Sequence, residues 1–244
     1  MGLVSQLEEI QAVLFDFSGT LFRLEEDDSW FHGIEVDERQ IDGHVQAELM
    51  RRMTAPTGIF EDMTTRSGVA AEAAQKAHHA WVNRDLAPHL HREAYLHVLR
   101  ESGVADHQVE ALYGLMIDPL NWTPYPDTAG VLESLHGQGI KTAVVSNIAF
   151  DVRPAFESIG AAGFVDEFVL SFEVGAVKPD AAIFETALRR LGVQAAHAVM
   201  VGDSDEADGG ARAVGCGFVL VDPLPTTQRH DGLRTALADY GVQV

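Results

Sequence analysis

The sequence predicts an α/β protein: a mostly parallel, doubly wound sheet of five strands, interrupted by an inserted helical domain. Three observations predict it. Short apolar runs of strand length begin at Val13-Leu14-Phe15 and recur after residue 140, alternating there with helical patterns, which is the order of βαβ units. Residues from about 37 to 116 instead carry helical periodicity with hardly any β-branched runs. Several apolar runs also end in Asp, Ser or Gly-Asp, the chemistry found at the carboxyl edge of open α/β sheets.

Taken in order, residues 11–17 form the first strand, too short for a helix and followed at once by the Gly19 turn. It delivers Asp16 to the strand's carboxyl end, although a lone acid there also serves as a plain strand terminator. Phe22 to Trp30 (FRLEEDDSW) is acidic and irregular, a loop leaving the sheet edge. Ile41, Val45, Leu49 and Met53 fall at helical spacing, ended by Pro56 and Gly58. Ser67 caps a second helix through 70–82, Pro88 opens a third that Gly103 stops, and Asp106 caps a fourth through Met116. Four helices without an intervening strand make residues 22–121 a bundle inserted into a core of 1–21 and 122–244. The turn-rich Trp122–Asp127 marks the return. Helices over 127–138, 151–160, 180–191 and 207–215 then alternate with strands over 141–146, 167–171, 198–202 and 217–222.

Composition narrows the function. The 244 residues are 46% hydrophobic and 22% charged, ordinary for a globular protein with a proper core. A formal charge of -20, from 37 acids against 17 bases, repels phosphate backbones and argues against nucleic acid and anionic membranes as partners. An anionic substrate then needs a local device: a metal, a buried lysine or a helix N-terminus. Cys216 is the only cysteine, which fits a reducing compartment and a cytoplasmic protein. MGLVSQLEEI is not a signal peptide, Gln6 stands where a myristoylation pattern has Ser or Thr, and no apolar stretch reaches 18 residues.

The strand ends form a constellation. Val144-Val145-Ser146-Asn147 puts a hydroxyl and an amide at the start of the next helix, where they would hold an anion; a simple helix cap is the alternative for Ser146. Lys178, one of three lysines with Lys76 and Lys141, precedes Pro179-Asp180 and a helix, either positioned there or solvated on the surface. Gly202-Asp203-Ser204-Asp205-Glu206-Ala207-Asp208 packs four acids into six residues, unfavourable unless a cation or ample water is present. Asp203 and Asp208, with Asp16, would suit a hard ion such as Mg²⁺. Helix-dipole complementarity accounts for one or two of those acids, not four.

Asp16-Phe-Ser-Gly-Thr-Leu, Ser146-Asn147, Lys178-Pro-Asp and Gly202-Asp203-Ser204 with Asp208 resemble, in order and spacing, the four motifs of the haloacid dehalogenase superfamily. The resemblance covers the whole chain, including a helical insert between the first two motifs. It implies a Rossmann-like core with a helical cap of the family's first type. Asp16 would be the nucleophile forming an aspartyl intermediate, with Thr20, Ser146 and Lys178 holding the transferring group and Gly19 and Asn147 lining the substrate. In phosphoryl-transferring members Mg²⁺ would be held by Asp16, the Ser18 main-chain carbonyl and Asp203, with Asp208 in support.

Ser18 departs from the family's phosphatases, which carry a second aspartate there as general acid and base. Losing such a group typically costs ~10²–10⁴ in rate. Three readings follow. The favoured one is a phosphatase of a small phosphorylated metabolite that is slow, or that takes good leaving groups. A hydrolase of carbon–halogen or carbon–phosphorus bonds is the second. Dehalogenases, however, lack the Gly-Asp metal pair kept at Asp203, and phosphonoacetaldehyde hydrolases need a cap lysine, for which Lys76 is the sole candidate and reads as a solvated residue. The third is a phosphate- or metal-binding regulatory module, against which the other motif residues all stand. In the insert, histidines 32, 44, 78, 79, 89, 91, 97 and 107 read as solvent-facing or capping, since His78 and His79 point about 100° apart on a helix. Arg51, Arg52, Arg84 and Arg92 either grip the far end of a substrate or form surface salt bridges.

Overall fold

The computed structural model describes residues 10–25, 28–37, 39–40, 43–54 and 69–244. The chain runs β1 (Ala12–Phe15), β2 (Phe22–Arg23), β3 (Glu35–Val36), β4 (Arg39–Gln40), α1 (Gly43–Thr54), α2 (Val69–Val82), α3 (Pro88–Glu101) and α4 (Asp106–Ile117). It continues with β5 (Thr123–Pro124), α5 (Thr128–Gly137), β6 (Lys141–Ser146), α6 (Arg153–Ser158), β7 (Glu167–Leu170), α7 (Ser171–Val174) and α8 (Ala181–Leu191). β8 (Ala198–Gly202), β9 (Gly217–Leu220) and α9 (Gly232–Asp239) complete it. Two compact units result: one of Met1–Arg23, Thr123–Asn147 and Asp151–Val244, the other of Leu24–Trp122 with Ile148–Phe150.

The first unit is built on a five-stranded sheet in the order β7-β6-β1-β8-β9, every neighbouring pair parallel. β1 is central and its four residues are fully buried, which is why it reads as a continuous apolar run rather than an alternating one. Successive side chains still face opposite ways. Ala12 and Leu14 pack with Ala143, Val145, Ala198 and Met200 against Ile183, Phe184, Ala187 and Leu188 of α8. Each large member of that stripe contributes roughly 1.5–3 kcal/mol by burial. Asp180 accepts the Ala182 N–H at 3.0 Å and so fixes where α8 begins, just after Lys178. A parallel sheet brings all carboxyl ends to one edge, so Asp16, Ser146 and Asp203 share it.

Two boundaries differ from expectation. Phe22 to Trp30 is not simply an irregular loop leaving the sheet edge. Phe22 is fully buried and pairs with Pro124 in a short antiparallel ribbon, while Trp30 and Phe31 lie buried in the second unit. Their apolar partners sit at irregular spacing among acids, which hides them; Glu26 and Asp27 lie outside the described residues. The stretch expected as a helix over 207–215 is a 3₁₀ helix, Asp208–Val214. Two glycines weaken it, and Gly210 lies so close to Pro179 that a Cβ there would overlap the proline.

The second unit packs Leu49 and Met50 of α1, Leu96 and Leu99 of α3, and Val109, Leu112, Tyr113 and Met116 of α4 around Leu24, Trp30, Phe31 and Ile34. Asp106 is not a cap: Ala105 takes that position, and Asp106 pairs with Arg100 at 2.9 Å. Ile41, Pro56, Gly58 and Ser67 lie outside the described residues, as does the Met53 side chain. Arg51 and Arg52 pair with Glu48, Arg92 with Glu110, and Arg84 with Asp85, so the arginines form salt bridges. Lys76 is largely exposed and pairs with Glu93. Among the described residues no helix is long and apolar enough to cross a membrane.

His91 corrects the expectation of solvent-facing histidines. It is buried, 3.0 Å from the Tyr113 hydroxyl, with its ring against Tyr95 and Phe150. Burial, and after it the Arg84 charge, pushes its pKa from 6.5 down to about 3. A depressed histidine stabilises the fold fully above pH 6.5, and that stability is lost as pH falls towards 3, by at most about 1.4 kcal/mol per unit. Trp30, Trp81 and Trp122 are the chain's three tryptophans and all lie in this unit, so their fluorescence reports on it. The fluorescence-detected urea midpoint is expected to fall between pH 6.5 and 4, and to fall less in His91→Phe. Equal pH responses in the two proteins would exclude His91 as the source.

Candidate active site

The site is assembled at the carboxyl edge of β1, β6 and β8. Asp16 follows β1 with its N–H still donating to the Val201 carbonyl at 3.0 Å, so its carboxylate stands at the end of the central strand. Phe17 then turns inward, stacks on Phe22 at 5.0 Å and meets Phe156, while Ser18 is left exposed. The turn closes through Gly19 N–H to the Phe22 carbonyl and Leu21 N–H to the Phe17 carbonyl. Gly19 has φ +72°, and a Cβ there would overlap the Asp203 carboxylate, so the turn admits only glycine on both counts. Gly202 is required in the same way, since a Cβ would run into Asp208.

Lys178 is buried, its side chain 2% exposed, with Nζ 2.7 Å from Asp16 Oδ1 and 2.6 Å from Asp208 Oδ1. Burial opposes its charge, but Asp16 and Asp208 outweigh that and hold its pKa above the ordinary value. Asp208 is fully buried and has both oxygens engaged, Oδ1 by Lys178 and Oδ2 by the Ser204 N–H at 3.0 Å. Asp203 is half-buried. Burial first, then the Asp16 and Asp208 charges, pushes its carboxyl well above the usual range. One carboxylate oxygen each from Asp16, Asp203 and Asp208 lie within 4.8 Å of one another. Three carboxylates against one ammonium leave a formal charge of about −2 here. An all-oxygen donor set in that condition fits a hard divalent cation such as Mg²⁺.

Three further expected residues lie near this edge, and one of them is not where the sequence reading put it. Ser146 is buried at the end of β6, but α6 begins only at Arg153, so Ser146 neither caps it nor stands at its N-terminus. Asp151 accepts the Arg153 N–H instead, and Pro154 fits the first helical turn. Asn147 has both ends of its amide committed to the Lys178 main chain: Nδ2 donates to its carbonyl at 3.0 Å, and Oδ1 accepts its N–H at 2.7 Å. It therefore holds the lysine loop in place. Thr20 is completely buried, and its Oγ1 has no hydrogen-bond partner among the described residues. The residue that sequence reasoning missed is Arg229. It is buried and donates to the carbonyls of Gly19 and Thr20, yet it lies in no motif and its segment carries no signal of its own.

Residues 10–215 match the family described as haloacid dehalogenase-like hydrolase. Among curated proteins, the chain is similar to ribulose-1,5-bisphosphate 5-phosphatase of Halopiger xanaduensis, 42% identical over 100 residues that make up 40% of this chain and 42% of that protein. It is also similar to glyceraldehyde 3-phosphate phosphatase of Methanothermobacter thermautotrophicus, 37% identical over 110 residues, 44% and 49% of the two chains. The chain thus spans less than half the length of each of these relatives. Its fold is similar to that of L-2-haloacid dehalogenase from Xanthobacter autotrophicus, with a TM-score of 0.55, 20% identity and coverage of 93% and 83%.

Proposed function

Since the chain belongs to the haloacid dehalogenase-like hydrolases, we propose that it is a Mg²⁺-dependent phosphatase acting on a small phosphorylated metabolite, with Asp16 as nucleophile. The observation that carries the reading is the acid cluster of Asp16, Asp203 and Asp208 with Lys178 set between two of its members. The phosphatase names of the curated relatives support it. Displacing halide from carbon calls for no divalent cation, whereas three carboxylates this close together suit one.

Asp16, Asp203 and the Ser18 main-chain carbonyl would hold Mg²⁺, with Asp208 behind them, and the ion would supply positive charge to offset that of the phosphate. An Asp16 oxygen attacks phosphorus in line. The bond to the leaving oxygen breaks as the Asp16–phosphorus bond forms, and the electron pair departs with the alcohol. Lys178, kept in place by Asn147, offsets the charge of Asp16 and of the incoming group. Water then attacks the aspartyl phosphate, releasing inorganic phosphate and restoring Asp16. Ser18 supplies no acid, so the leaving oxygen takes its proton from solvent, and substrates with good leaving groups are favoured. The helical unit would serve as the cap, and the single buried Cys216 suits a cytoplasmic setting.

Purified protein is expected to hydrolyse p-nitrophenyl phosphate slowly, only with Mg²⁺ present and not with EDTA. No Mg²⁺-dependent turnover across a broad phosphate-ester panel would overturn the reading, and halide release from 2-chloropropionate would replace it with the carbon–halogen one.

A further inference from the structure

Arg229 lies beyond the 10–215 stretch that matches the family, yet it reaches the turn that follows Asp16. Its Nη1 donates to the Gly19 carbonyl at 2.7 Å and to the Asp222 carbonyl at 3.0 Å, and its Nη2 donates to the Thr20 carbonyl. Its Cζ stands 3.1 Å from the centre of the Tyr125 ring. Tyr125 is tied in turn, its hydroxyl donating to the Leu224 carbonyl and its N–H to the Leu21 carbonyl. The Thr128 hydroxyl holds that same Leu21 carbonyl at 2.7 Å.

We propose that Arg229 is a positioning residue for the nucleophile turn, clamping the Gly19 and Thr20 carbonyls so that Asp16 and the Ser18 carbonyl are presented together to a divalent cation. The inference rests on the phosphatase reading above. Burying a guanidinium against carbonyls, with its Nε–H unpartnered among the described residues, is a costly way merely to pin a C-terminal segment, since an apolar side chain would fill the space without a desolvation penalty. What the fork gives instead is two adjacent peptide planes fixed at once. Those planes directly follow the peptide that carries the Ser18 carbonyl. That same peptide is held through its own Gly19 N–H, which donates to the Phe22 carbonyl, and upstream the chain is anchored by the Asp16 N–H on the Val201 carbonyl. With Arg229 in place the turn has no slack.

Arg229→Lys keeps the charge but not the fork. Calorimetric titration with Mg²⁺ alone is expected to show affinity about tenfold weaker than wild type, the scale for groups that orient metal ligands. With p-nitrophenyl phosphate, kcat should fall about ten- to a hundredfold while KM changes little. In Arg229→Gly, added guanidinium at millimolar concentration should restore Mg²⁺ affinity. Were Arg229→Lys to melt early, the titration is run below its melting transition. Wild-type Mg²⁺ affinity and kcat in that folded protein would make Arg229 a structural clasp and overturn the proposal, as would guanidinium that raises the melting temperature of Arg229→Gly but not its Mg²⁺ affinity. Wild-type protein that neither binds Mg²⁺ nor turns over phosphate esters would instead fail the phosphatase reading itself.

Discussion

Asp16→Asn is expected to lower phosphate-ester turnover by roughly 10⁴-fold or more, because under the proposed mechanism it removes the atom that would attack phosphorus and leaves no substitute. The amide keeps the size of the carboxylate, so the β1 edge and the Phe17 packing stay intact and circular dichroism should match wild type. Two electrostatic consequences oppose each other. The variant loses the 2.7 Å ion pair with Lys178, and it relieves the repulsion that Asp16 exerts on Asp203 and Asp208. Mg²⁺ affinity should nevertheless weaken, since one of the three carboxylates that come within 4.8 Å is gone. Turnover within tenfold of wild type in a folded Asp16→Asn protein would remove Asp16 from the nucleophile role.

Ser18→Asp should move activity the other way. The Ser18 side chain is exposed on a turn whose neighbours Phe17 and Gly19 are fixed, so a longer acidic side chain meets no packing obstacle. An aspartate there would protonate the leaving oxygen and then activate water, a gain of up to ~10²–10⁴ for alkyl phosphates. For p-nitrophenyl phosphate the gain should be much smaller, because nitrophenolate leaves without a proton. That difference between the two substrates is the informative quantity. Equal, small effects on both would mean that the missing acid does not limit the rate.

Much of the fold was legible along the chain because the relevant physics is local. β1 is a short, wholly buried apolar run, and α8 carries its buried stripe at helical spacing behind an aspartate cap. Such patterns depend only on neighbours in sequence. The parts misjudged are those where a distant partner decides. Phe22 looks like the start of an irregular loop until its pairing with Pro124 is seen, and His91 looks like a surface residue until Tyr113, Tyr95 and Phe150 close over it. The 3₁₀ helix at Asp208–Val214 sets Gly210 against Pro179, some thirty residues earlier, a contact that no local pattern records.

The candidate groups were legible along the chain: Asp16 and Asp203 directly after apolar strands, Lys178 just ahead of a helix, Asp208 five residues beyond Asp203, and a serine where an acid would be. Residue type and spacing suffice for that, because a parallel sheet gathers its carboxyl ends on one edge. The tertiary structure decided how those groups are held. Only in three dimensions does Lys178 stand between Asp16 and Asp208, the Asn147 amide bind the lysine main chain, and Arg229 close on the carbonyls of Gly19 and Thr20. Hydrogen bonds between residues 31 and 210 positions apart leave no periodicity in the chain, so only the folded protein reveals them.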